Sequence, residues 1–201
     1  MPGVDELPEL TVRDARAWSA WLGKHRGASG GVWLVLAKKG TTSPTRLTYA
    51  DALAEALCHG WIDGTKRSRD GATFVQRFTP RRARSGWSKR NVGLAEELIA
   101  AGRMRPAGLA EVERARADGR WQAAYSGQAT ISVPADLAAA LGAQLKAAAM
   151  FDSLTSQNRY AVLYRIDTAK KAETRARRIE QFVAMLARGE TIHPQKRERP
   201  G

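Results

Sequence analysis

The sequence predicts an α+β fold, with a small sheet, a β-hairpin and helices on the N-terminal side and a helical C-terminal unit after it. Three observations lead there. GVWLVLAKKG, residues 31–40, is an apolar run rich in Val, Trp and Leu and bounded by glycines, which suits a buried strand. Two runs, residues 61–69 and 72–79, flank the dipeptide Asp70-Gly71, a strong hairpin signal. After Pro134, apolar residues recur at helical spacing almost to the end of the chain.

Each element has a local reason. Thr11 with Asp14 resembles a capping box, and Ala15, Trp18, Trp21 and Leu22 then carry an amphipathic helix towards the glycines Gly27, Gly30 and Gly31. The strand follows, and after a loop holding Pro44 a second capping signal, Thr48 with Asp51, opens a helix through Leu53, Ala56 and Leu57. In the hairpin, a two-residue type I′ loop at Asp70-Gly71 places Arg69 opposite Ala72, Arg67 opposite Phe74, Thr65 opposite Gln76 and Asp63 opposite Phe78, on one face. Ile62, Lys66, Val75, Arg77 and Thr79 then share the other face. Pro80 ends the second strand because it has no ladder donor.

Further on, Ser88 caps a helix through Leu94 and Leu98 to Gly102, and Pro106 opens a short helix that stops at Gly119. Residues 121–133 are poor in pattern and read as a linker, so the units expected are 1–125, carrying the sheet, and 126–201, helical with a polar basic tail, HPQKRERPG. In the last helix Ile179, Phe182, Val183 and Leu186 line one face.

A chain of 201 residues with 43% hydrophobic and 26% charged residues is globular by composition. The formal net charge of +13 is concentrated in two segments. Residues 64–90 hold nine Lys or Arg against one acid, and residues 159–201 hold eleven against five, leaving a net of −1 elsewhere. Such patterning favours acidic partners, whether small molecule, protein or nucleic acid. Cys58 is the single cysteine and reads as a buried thiol; no basic stretch followed by an apolar run marks an export signal, and the expectation is a cytoplasmic protein.

No metal site or cofactor is expected. His25, His59 and His193 are scattered, and no phosphate-binding glycine loop, dinucleotide fingerprint or zincin motif is present. The chemistry concentrates in GWIDGTKRSRDGATFVQRFTPRRARSGWSKRN. Here Arg77, Arg81 and Arg82 precede a helix whose first N–H groups face outward, an arrangement that binds anions. Ser88 and Asn91 are hydrogen-bond donors, Trp61 and Trp87 are candidate walls, and Asp63 must pair with a neighbour such as Arg81 or Lys89 or keep a raised pKa. Three readings stand on these residues: an ion-pair network bracing the loop, a pocket for an anionic ligand, and a nucleic-acid face.

ALCHGWIDGTKRS, then QRFTPRRARSGWSKRNVGLAEELIAAGRMRPAG, then LTSQNRYAVLYRIDTAKKAETRARRIEQFVAMLARGE together resemble the YdeI/OmpD-associated, or bacteriocin-protection, family over roughly Leu10 to His193. The resemblance implies envelope-stress or antimicrobial-peptide tolerance and contact with an outer-membrane porin; it implies no cofactor and no catalytic residue. The expected function is therefore a non-enzymatic, stress- or resistance-associated protein binding an anionic small molecule or acidic protein surface. An enzyme using Asp63 as general acid/base is the alternative, and a nucleic-acid binder a second.

Overall fold

The computed structural model describes residues 7–25, 30–128 and 130–195; Gly27 and the tail from residue 196 onward lie outside them. The chain divides into two compact units, Met1–Gln122 and Ala123–Gly201, where sequence placed the boundary a few residues later.

The first unit is α+β. Its elements are β1 (Glu9–Leu10), α1 (Ala15–His25), β2 (Val32–Ala37), α2 (Tyr49–Cys58), β3 (Trp61–Ser68), β4 (Thr73–Pro80), α3 (Lys89–Ala100) and α4 (Pro106–Ala117). The sheet order is β1-β2-β4-β3, with β1 parallel to β2 and the other pairs antiparallel. Every residue of β2 is buried, which explains why its sequence is apolar without alternation: both sheet faces are covered. On one face Val32, Leu34, Leu36, Phe74 and Phe78 pack with Trp18 and Leu22 of α1 and Ala52 and Ala56 of α2. On the other, Trp33, Val35 and Val75 cluster with Leu7. The caps at Thr48 and Ser88 form as the sequence indicates, while α1 is capped by Asp14, whose Oδ1 accepts from the Ala17 N–H at 3.0 Å. Thr11 has no part in it.

The hairpin differs from the expected one. Gly71 is not among the glycines at positive φ, so the turn is not type I′. Its work is done by the Asp70 carboxylate, which accepts from the Ala72 N–H at 2.8 Å, the Thr73 N–H at 2.7 Å and the Thr73 hydroxyl at 2.7 Å. These bonds, the Thr73 hydroxyl first, hold the Asp70 carboxyl down at about 2. Side-chain closure needs a longer loop, so the last pair is Ser68 with Phe74 and the register slips by one residue. A β-bulge cancels the slip: Gly64 and Thr65 together face Arg77, and the pairing Asp63 with Phe78 is restored. A one-residue slip exchanges faces. Arg67 therefore stacks over Trp33 at 4.0 Å, and Lys66 lies over Phe74 at 4.3 Å, the reverse of the arrangement expected for these two residues.

The second unit is helical: α5 (Ala135–Gly142), α6 (Leu145–Asp152), α7 (Ser156–Asp167) and α8 (Ala172–Ala187). Leu137, Phe151, Val162, Ile166, Ile179 and Leu186 form its core. The buried Asn158 donates to the His193 carbonyl at 3.0 Å and accepts from the His193 N–H at 2.8 Å, tying the chain beyond α8 to the start of α7. Arg175 forks onto Asp136 at 2.6 and 2.9 Å. No described helix is long and apolar enough to cross a membrane.

Two glycines of the hairpin region should respond oppositely to alanine. Gly60 has φ of +76° and a Cβ there would stand 3.0 Å from the Ala107 carbonyl oxygen, so Gly60→Ala is expected to cost about 1–3 kcal/mol in urea unfolding. Gly71 has open space and ordinary φ, so Gly71→Ala is expected to be neutral or stabilising by up to about 1 kcal/mol; equal destabilisation by both would contradict this.

Candidate functional site

β3 and β4 end side by side. Trp61 pairs with Pro80, and one residue beyond the strand the Arg81 N–H donates to the Gly60 carbonyl at 3.0 Å. Residues 59–61 and 80–82 are thereby neighbours. Past this point the chain turns sharply: the Arg82 N–H donates to Ser85 Oγ, and the Ser85 N–H to the Arg82 carbonyl, both at 2.9 Å. The turn brings Gly86 and Trp87 back under Arg81. The guanidinium sits 3.5 Å from the Trp87 ring centroid, and its Nη1 donates to the Gly86 carbonyl at 3.1 Å. Ser88 then accepts the Asn91 N–H at 3.2 Å and starts α3.

The sequence-derived site residues do not converge on one place. Trp61 is 1% and Trp87 2% exposed, and protein rings occupy them: Trp61 meets Trp18 and Trp21 edge-on, and Trp87 leans on Trp121 at 4.8 Å. Asn91 is buried, Ser88 is engaged as the cap, and Arg82 is exposed. Arg77 lies against the bulge, with its Nε 2.7 Å from where a Gly64 Cβ would be, so Gly64 leaves room for that guanidinium. Asp63 is part-exposed, and its partner is neither Arg81 nor Lys89. Its Oδ2 accepts from the Tyr49 hydroxyl at 2.8 Å. Burial, and then the charge of Asp63, push the Tyr49 phenol well above its ordinary range, so it remains a neutral donor; Arg90 lies over the Tyr49 ring at 5.2 Å.

Trp61 and Arg81 do meet, in the wall of a cavity of about 170 Å³ completed by His59 and by Ala110, Glu111 and Arg114 of α4. Arg114 Nη1 donates to both Glu111 oxygens, at 2.9 and 3.1 Å, and His59 Nε2 lies 3.0 Å from Ser19 Oγ. The Trp61 indole N–H is buried with no acceptor among the described residues. Glu111 and Arg114 were not legible as site residues, because only the docking of α4 on the end of α2 brings them here. That docking depends on Gly108, where a Cβ would fall 2.5 Å from the Cys58 carbonyl oxygen. Cys58 is buried, and desolvation, helped by the charge of Glu55, pushes its thiol up to about 11, which makes it a packing residue. Among the described residues no group of three His, Cys, Asp or Glu is placed to hold a metal.

Residues 10–111 match the family described as Domain of unknown function (DUF8412). The chain belongs to this family. Residues 130–189 match a second one, Bacteriocin-protection, YdeI or OmpD-Associated, the family that the sequence motifs resemble. No curated protein and no solved structure matches the chain. The GWIDG and RFTPRR blocks fall inside the DUF8412 match, and the stretch beginning LTSQNRY falls almost wholly inside the second.

Within the first unit some cations are paired with carboxylates and others are not. Arg69 pairs with Glu9 and Asp70, Arg103 with Glu55, and Arg120 with Asp118. Lys66, Arg82, Arg84, Lys89 and Arg90 are exposed and have no carboxylate partner among the described residues. These five come from the distal part of β3, the turn after β4 and the first turn of α3.

Proposed function

We propose that the chain is a non-enzymatic, bacteriocin-protection or stress-related protein, acting in the cytoplasm, that engages an anionic ligand or acidic protein surface through the basic region around the Arg81 loop. The observation that carries this is the set of exposed, carboxylate-free cations, Arg82, Arg84, Lys89 and Arg90, on the loop held by Arg81 and Trp87 and on the first turn of α3 that follows it. A rigid mount matters because ordering long side chains on binding costs free energy, and a fixed backbone limits that cost. The cap at Ser88 adds the positive end of α3 behind Lys89 and Arg90. A porin or another envelope partner remains an inference from the family description alone.

A fluorescently labelled polyglutamate is a direct probe. Binding is expected to weaken steeply as salt rises, and the double variant Arg84→Ala/Lys89→Ala to lower the slope of log K against log salt by about 2. Salt-independent binding, or no effect of the double variant, would sink the reading. Preference for a DNA duplex of matched charge would move it to the nucleic-acid alternative.

The enzymatic alternative has one observation in its favour: Asp63 is part-exposed and hydrogen-bonded to a neutral Tyr49 with Arg90 beside it. It requires slow hydrolysis of some phosphate or carboxylate ester in a broad panel by the wild-type chain, lost in Asp63→Asn. Turnover no faster than buffer across that panel would end it.

A further inference from the structure

We propose that the groove lined by Tyr160, Tyr164, Arg165 and His193 in the second unit binds single-stranded nucleic acid, with a base against the tyrosine rings and the phosphate backbone along the neighbouring cations. This goes beyond the reading of the Arg81 loop and rests on none of its residues. Gln157, Tyr160, Ala161, Tyr164 and Arg165 of α7 recur at i, i+3, i+4, i+7 and i+8, so they form one stripe along the helix. The segment after α8 closes the groove with His193, which is held there because Asn158 bonds both its carbonyl and its N–H. The space is about 470 Å³, inside the roughly 300–1,000 Å³ of ligand pockets and enough for one nucleotide.

Three features set the ligand class. The rings come first: Tyr160 and Tyr164 are part-exposed, with centroids 5.6 Å apart, and Tyr125 meets Tyr164 edge-on at 5.0 Å, which braces that ring from the side. Bases of any sequence stack on such rings. The second is hydrogen-bonding capacity, because the side chains of Gln157, Tyr160 and Tyr164 bond to no described residue and can meet a base edge. The third is charge. No carboxylate lines the groove, while Arg165, Lys170, Lys171, Arg177 and Arg178 have no carboxylate partner among the described residues. Arg178 donates to the Arg165 carbonyl, which brings its guanidinium onto α7. Asp167, whose charge reaches Tyr160, accepts the Ser126 N–H at 3.3 Å. An acidic polypeptide would use the cations and leave the rings without a planar partner, and a duplex keeps its bases inside its own stack. A single strand uses both.

Fluorescence anisotropy of a labelled oligothymidylate of about ten residues and of its oligouridylate counterpart, each titrated with the full chain, tests the groove, the pair separating DNA from RNA. Saturable binding that weakens with salt is expected for at least one strand. Tyr160→Ala is expected to weaken it at least about fivefold and Tyr160→Phe, which keeps the ring, to hold it near the wild-type value. Arg165→Glu, at an exposed position, is expected to weaken it by a similar factor and reads the same groove should Tyr160→Ala not fold. No binding of either strand, with polyglutamate still bound, would overturn the groove and leave the Arg81-loop reading standing. Weakening by Arg84→Ala/Lys89→Ala, with Tyr160→Ala and Arg165→Glu silent, would overturn it too and place the strand on the loop. Polyglutamate binding weakened by Tyr160→Ala as much as oligonucleotide binding would show a general anion surface and overturn the nucleic-acid assignment.

Discussion

The Arg81 guanidinium lies face-on against Trp87, 3.5 Å from the ring centroid, and much of the N-terminal unit is arranged by that packing. Taking a guanidinium out of water is costly, and an arginine is kept inside only where its stacking and hydrogen bonds are good. Here the Trp87 ring and the Gly86 carbonyl are two of its partners. Since Arg81 also donates its backbone N–H to Gly60, the same residue joins the start of β3, the end of β4 and the loop before α3. Release it, and the turn at Arg82 and Ser85, the cap at Ser88 and the wall of the cavity lose a common anchor.

The bulge at Gly64 and Thr65 is the second constraint, and it acts on charge. Without it the distal half of the hairpin would turn Arg67 towards the core face. With it, the Arg67 guanidinium lies over Trp33 and the Lys66 ammonium over Phe74, so both charged heads rest on aromatic surface. Glycine at position 64 serves the same end, by giving the Arg77 guanidinium room against the backbone. Four residues of the motif GWIDG have a role: Gly60 for positive φ and the approach of α4, Trp61 for the core, Asp63 for Tyr49, Gly64 for Arg77.

What could be read from the sequence was local. The caps at Thr48 and Ser88, Pro106 at a helix start, and the all-apolar strand each depend on neighbours a few residues away, and each was found at or near its expected place. The family resemblance was legible in the block beginning LTSQNRY, whereas the GWIDG and RFTPRR blocks fall in the DUF8412 match. What escaped was tertiary. β1 has two residues and exists only because β2 lies parallel to it. At the hairpin tip a side-chain turn by Asp70 displaced the backbone turn that Asp-Gly suggests, and the bulge compensating for it has no composition signal of its own beyond a glycine. Asp63 found Tyr49, from a different element, in place of Arg81 or Lys89. Tryptophans that sequence suggests as a ligand platform are largely wrapped by other aromatic rings.

The loop that carries the exposed cations hangs on this anchor, so the coupling between Arg81 and Trp87 is the quantity to measure. A double-mutant cycle with Arg81→Met and Trp87→Leu, read by urea unfolding, isolates it from the loss of either side chain alone. The expected coupling is about 1 kcal/mol or more, as for a desolvated cation–aromatic pair. Additivity within about 0.3 kcal/mol would contradict the view that this contact organises the unit.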